Sequence, residues 1–107
     1  SNVENPLNEL EEEKARWFNE VLKRITEQIS YIWIKPDGIS ENAWGVIRMN
    51  LDSQGYLLSA WVHLPSGSRA LDDSALLAIR GVIRYQIPDS VKLSRYYRNI
   101  EFQYHGG

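Results

Sequence analysis

Cysteine is absent from the chain, which excludes a disulfide framework, a thiolate metal site and a cysteine nucleophile. Its absence leaves the redox compartment open. Histidine is scarce: His63 and His105 are the two present, and neither stands in a His-x₃-His or His-Glu-x-x-His spacing. With no Asp-x-Asp-x-Asp-Gly loop either, nothing in the sequence assembles a metal site. Long apolar runs are missing too. Tyr31-Ile32-Trp33-Ile34 is typical, against the ~20 residues needed to span a bilayer. Neither charge dominates, with 12 Lys and Arg against 14 Asp and Glu and a net charge of −2, so a general affinity for polyphosphate is not expected. No secretory leader pattern opens the chain. It starts Ser1-Asn2 without an initiator Met, as expected of a piece processed or excised from a larger protein, with any anchor outside it.

What is present is an ordinary globular composition, 43% apolar, 11% aromatic and 24% charged. A chain of 107 residues is long enough for one core and not for two, so a single domain over 1–107 is expected. Its first third reads as one long helix. Asn5-Pro6 is an Asx cap followed by proline at the first helical position, and Glu9, Glu11, Glu12 and Glu13 suit the N-terminal end of the dipole. That Glu run reads as a solvated face. Leu7, Leu10, Trp17, Val21, Ile25, Ile29 and Ile32 recur at helical spacing, widened by Phe18 and Leu22, until Pro36-Asp37-Gly38 breaks the pattern.

Two strands follow. In Gly45–Leu51, Ile47, Met49 and Leu51 alternate with Val46, Arg48 and Asn50. Asp52-Ser53-Gln54-Gly55 supplies a hairpin loop. In Tyr56–Leu64, Ala60, Val62 and Leu64 pattern to one face and Ser59, Trp61 and His63 to the other, while Leu57-Leu58 points to a bulge or a later strand start. A second helix is expected over Asp72–Ile83, capped by Asp72, with Leu71, Ala75, Leu76, Ile79 and Val82 buried. After Pro88 and a connection through Lys92, a last strand covers Tyr97–Tyr104, where Ile100, Phe102 and Tyr104 alternate with Asn99, Glu101 and Gln103. This order predicts an α+β fold: a three-stranded antiparallel sheet with a long N-terminal helix and a second helix packed on one face. The strand Tyr97–Tyr104 is expected at an open edge of that sheet.

Catalytic chemistry finds no support in the sequence. Ser66-Gly67-Ser68 reads as a turn, and Asp72-Asp73 as a helix cap, since adjacent helical residues point about 100° apart and share a proton poorly. Arg95-Tyr96-Tyr97-Arg98 mixes cations and rings as base-stacking proteins do, without the recognition motif that would go with it. No catalytic residue, cofactor, nucleic acid or small-molecule substrate is therefore expected. Trp44 and Trp61 pattern to the face opposite Ile47 and Met49, which leaves two readings open, an aromatic pair or a partner surface. The best-warranted functional feature is the edge, because unpaired backbone groups there can accept an extended segment of another protein. An open edge also invites self-association.

From Ile25 to Tyr104 the sequence resembles the C-terminal periplasmic domain shared by TolA and TonB. The resemblance rests on Trp33-Ile34-Lys35-Pro36, the hairpin turning at Asp52-Ser53-Gln54-Gly55, Pro65-Ser66-Gly67, and Leu71-Asp72-Asp73-Ser74-Ala75-Leu76-Leu77-Ala78-Ile79-Arg80. Pro88 and Ile100-Glu101-Phe102-Gln103-Tyr104 complete it. Tyr97-Arg98-Asn99-Ile100 and the long first helix favour the TolA branch. The resemblance implies a non-catalytic periplasmic domain, without cofactor, at the end of a stalk anchored in the inner membrane outside this piece. Residues 1–24 would then continue toward that stalk. It implies TolB and Pal of the Tol–Pal system as partners, with colicins and phage coat proteins hijacking the domain. In the TonB branch the partners are instead TonB-dependent receptors. It also implies that the partner adds a strand along Tyr97, Arg98, Asn99, Ile100, Glu101, Phe102, Gln103 and Tyr104. The paired cysteines of some TolA domains are missing here.

Overall fold

The structure is a computed structural model that describes residues 6–87 and 99–107, and for 6–8 and 10 the backbone alone. The Asn5 cap, the side chains of Leu7 and Leu10, and the connection from Pro88 through Lys92 to Arg98 lie outside the described residues. Helix α1 spans Pro6–Ile32, and strands β1 (Trp44–Leu51) and β2 (Leu57–Leu64) follow as a hairpin. Helix α2 spans Arg69–Gly81 and strand β3 spans Ile100–His105. The sheet is antiparallel in the order β2-β1-β3. The predicted α+β architecture is the one observed, with the last strand at a margin of the sheet.

Periodicity explains the packing. Val21, Ile25 and Ile29 from α1 and Leu71, Ala75 and Ile79 from α2 bury the same core as Ile47, Met49 and Leu51 of β1. Each fully buried Ile, Leu or Met contributes about 1.5–3 kcal/mol through removal from water. The ends of the α1 stripe are looser: Trp17 and Ile32 are exposed. They fall on the same helical face as Val21, Ile25 and Ile29, at its two ends.

The hairpin turn is built by Asp52, whose Oδ1 accepts from Gln54 N and Tyr56 N, both at 2.9 Å. Gly55 takes φ +96°, and a Cβ there would collide with the Tyr85 carbonyl, so glycine is required on two counts. The chain leaving α2 is strapped across this turn. Tyr85 N–H donates to Gly55 C=O at 2.8 Å, and the buried Tyr85 hydroxyl donates to Ile79 C=O at 2.6 Å.

Two expectations need correction. Helix α2 starts three residues earlier than the predicted Asp72, at Arg69, with Ser68 as its cap: Ser68 Oγ accepts from Leu71 N at 3.2 Å. Asp72 is a buried residue of the first turn instead. Leu64 does not share a face with Ala60 and Val62. The register slips between Val46–Leu64 and Ile47–Val62, and the extra residue, His63, turns Leu64 onto the open face beside Val46. The irregularity suspected at Leu57-Leu58 is present, as a second slip between Asn50–Ser59 and Leu51–Leu57.

Candidate functional site

Strand β3 has β1 on one side and, among the described residues, no strand on the other. Which of its backbone groups face away from β1 follows from the ladder. Gly106 N–H donates to Ala43 C=O at 2.8 Å, and that pair continues the register running from Trp44–His105 to Met49–Ile100. Hydrogen-bonded and non-bonded pairs alternate in an antiparallel ladder. Ile100, Phe102 and Tyr104 therefore turn their N–H and C=O toward β1, and Glu101, Gln103 and His105 turn theirs outward. The β1–β2 ladder agrees: Asp52 N–H donates to Tyr56 C=O at 2.9 Å, so the alternate residues of β1 serve β2.

The side chains follow the same alternation. Ile100, Phe102 and Tyr104 are buried under the helices, while Glu101, Gln103 and His105 are exposed. Trp33 meets Phe102 and Tyr104 edge-on, with centroids 6.2 and 6.3 Å away, and its Nε1 donates to Ser74 Oγ at 3.0 Å. Beyond the strand, Lys35 Nζ donates to the Gly107 carbonyl at 2.8 Å, which ties the segment after α1 to the end of β3.

The opposite margin is different. Strand β2 carries both register slips. Ala60 stands across from Met49, a residue that serves β3, so the Ala60 carbonyl points outward. There it accepts from Arg80 Nη2 at 3.3 Å. Bulges and a charged cap are recognised ways to keep an edge from pairing. Strand β3 has an unbroken register and, among the described residues, no partner for the outward groups of Glu101, Gln103 and His105. The sheet thus has one blunted margin and one regular one.

A buried polar node stands beneath the regular margin. Asp72 Oδ1 accepts from Tyr104 Oη at 2.6 Å, Ser66 Oγ at 2.6 Å and Ser66 N at 3.1 Å. Burial by itself would raise the Asp72 carboxyl, but the three donors outweigh it and hold the group below the usual aspartate value. Burial first, and then the facing carboxylate, pushes the Tyr104 phenol above its ordinary range. The phenol is therefore the donor and the carboxylate the acceptor throughout the neutral range.

On the open face of the sheet, Trp44, Val46, Trp61 and Leu64 form an apolar strip, with Trp44 and Trp61 at 45% and 42% exposure. The Val46–Leu64 row separates the two indoles in the register, so they present to solvent individually. Beside the strip Arg48 Nη2 approaches Glu101 Oε1 at 3.2 Å, an exposed cross-strand pair of small energetic weight.

Of the expected partner-binding residues, the structure places Asn99, Glu101 and Gln103 at the surface and Ile100, Phe102 and Tyr104 in the core. Tyr97 and Arg98 lie outside the described residues, and the observed strand runs on to His105. Asp72, read from the sequence as a cap, is the residue that sequence reasoning missed. Its signal was present in the Ser66 that precedes it, but its third donor comes from 32 positions away. Among the described residues no group of three or more His, Cys, Asp or Glu is placed to hold a metal ion, and no helix is long and apolar enough to cross a membrane.

Comparison with known proteins places this geometry in context. The family model described as TonB C terminal matches residues 14–102. A solution NMR structure of TolAIII bound to a peptide derived from the N-terminus of TolB is similar, with a TM-score of 0.67 and 23% sequence identity, covering 78% of this chain and 69% of that one. At that identity the likeness concerns the fold. Among the curated proteins none matches.

Proposed function

The chain belongs to the TonB C-terminal family, and from that premise we propose that it is a non-catalytic binding domain that takes up an extended segment of another protein along the outer flank of β3. One observation carries the reading: β3 is the regular margin of the sheet, with the backbone of Glu101, Gln103 and His105 turned outward, whereas β2 is bulged and capped by Arg80. Main-chain hydrogen bonds then provide much of the attraction, and alternate side chains of the partner provide selection. The expected receiving stretch, Tyr97, Arg98, Asn99, Ile100, Glu101, Phe102, Gln103 and Tyr104, gains His105 from the observed strand.

In its finer form the domain is TolA-like. It works in the periplasm at the end of an inner-membrane-anchored stalk, binds TolB of the Tol–Pal system, and is open to colicins or a phage coat protein. The likeness to a TolAIII structure that holds a TolB peptide supports this form. The TonB-like alternative, coupling to outer-membrane receptors, has the same mechanics and draws support from the description of the matching family.

Titration of the ¹⁵N-labelled domain with a peptide from the N-terminus of TolB tests the proposal, with a peptide from a TonB-dependent receptor as comparison. Amide shifts at Glu101, Gln103 and His105 with the first peptide are the expected result. Binding of the receptor peptide alone would move the assignment to the TonB branch. Shifts centred on β2, or no binding of either peptide, would overturn strand addition at β3.

A further inference from the structure

A receiving edge works only if the strand behind it keeps its register. The backbone groups of Glu101, Gln103 and His105 turn outward, without a partner among the described residues, because Ile100, Phe102 and Tyr104 stay on β1. A slip by one residue would exchange the two sets and turn the buried face out. A slip by two would preserve the alternation, so the pleat alone does not forbid it.

Tyr104 does. It stands directly across from Gly45, and its ring lies over that glycine: a Cβ at Gly45 would sit 2.5 Å from the Tyr104 Oη and 2.6 Å from its Cζ. Displaced by two, the ring would have to cross Ile47 or Ala43, each of which has the Cβ that this arrangement excludes. The hydroxyl ends 2.6 Å from Asp72 Oδ1, on an acceptor already fixed by Ser66. A two-residue shift carries it about 6–7 Å along the strand, leaving a buried phenol unpaired and taking one donor from a buried carboxylate.

We infer that the Gly45–Tyr104–Asp72 arrangement is a register lock, in which Asp72 acts through the Tyr104 hydroxyl to position β3 as the receiving edge. This assigns Asp72 and Tyr104 as positioning residues that support the interface without presenting side chains to it, and it rests on the reading of β3 as that edge. Trp33, packed edge-on against Tyr104 and anchored to Ser74, braces the ring.

The experiment is native-state hydrogen exchange on Tyr104→Phe, which keeps the ring over Gly45 and removes the hydroxyl bond through which Asp72 acts. Strand β1 supplies its own reference: the amides of Ile47 and Met49 serve β3, and those of Arg48 and Asn50 serve β2. Acceleration of Ile47, Met49, Phe102 and Gly106 at least about tenfold beyond Arg48 and Asn50 is expected, because an edge strand opens as a local unit. Uniform acceleration, the mark of a merely structural contact, or no acceleration would overturn the lock. Should Tyr104→Phe not fold, Asp72→Leu is compared with Asp72→Asn, whose amide oxygen still accepts: rescue of β3 protection by Asn supports the inference, and equal loss in both refutes it. Titration of Tyr104→Phe with the TolB peptide is read separately. Weaker binding alongside selective opening links the lock to the interface. If the unaltered domain binds no peptide, the docking proposal falls, while the exchange pattern still decides the lock.

Discussion

Replacing Gln103 by proline tests the outward assignment most directly. Its N–H faces away from β1, so the substitution breaks no ladder bond, and an edge position with the nitrogen turned outward is where a sheet tolerates proline. Gln103 is exposed and its side chain makes no hydrogen bond among the described residues, so stability should stay within about 1 kcal/mol. Binding is another matter. An added strand would lose one backbone hydrogen bond, ~0.5–1.5 kcal/mol, and keep a carbonyl without its donor, ~1–3 kcal/mol. A net loss of about 2–3 kcal/mol corresponds to roughly 30- to 150-fold weaker affinity. Calorimetric titration with the TolB peptide measures it, and a urea midpoint confirms the fold. Phe102→Pro is the contrast. It removes an inward donor and a ring that is 7% exposed, and should cost more than about 3 kcal/mol of stability. A folded Gln103→Pro domain that binds with unchanged affinity would refute both the outward assignment and the docking site.

Three further outcomes follow from the geometry. Gly45→Ala puts a methyl group 2.5 Å from the Tyr104 hydroxyl and 2.7 Å from the Leu64 carbonyl; chemical denaturation should record a loss of about 1–3 kcal/mol. Arg80→Ala uncovers the Ala60 carbonyl and should produce concentration-dependent association in sedimentation velocity, so a strict monomer at every concentration would count against the capping role. Because the folded-state value of Asp72 is depressed, its contribution to stability is complete above the ordinary 3.8 and is lost as the pH falls through the lower folded value. The difference in urea midpoint between the unaltered domain and Asp72→Asn should therefore shrink as the pH falls below 3.8.

Much of this molecule is legible in local pattern, because its elements obey simple periods. The alternation of Ile47, Met49 and Leu51 against Val46, Arg48 and Asn50, and of Ile100, Phe102 and Tyr104 against Glu101 and Gln103, matches the observed burial strand by strand. Leu57-Leu58 betrays its bulge because two successive apolar residues violate a period of two. The slip at His63 leaves no such mark. A histidine suits either face, so Leu64 was expected on the wrong one. The local rules for caps accept the expected Asp72 near the start of α2, and the observed cap Ser68 satisfies them as well. Tertiary contact made the choice: Tyr104 claims the Asp72 carboxylate, and Ser68 is left to cap. The outward flank of β3 is legible as a strand at a margin. That β2 is the blunted margin depends on Arg80 reaching Ala60 across twenty positions, which no local pattern encodes.

The division of labour along β3 bears on how such a domain can change over time. Its even-numbered positions are committed to the interior, while the odd-numbered ones contribute main-chain atoms that nearly every amino acid supplies alike. Selection can thus redraw the solvent-facing side chains, and with them the preference among visiting segments, at little cost to the scaffold. Proline is the one replacement this freedom does not extend to, and a saturation library at Glu101, Gln103 and His105 should display that exception.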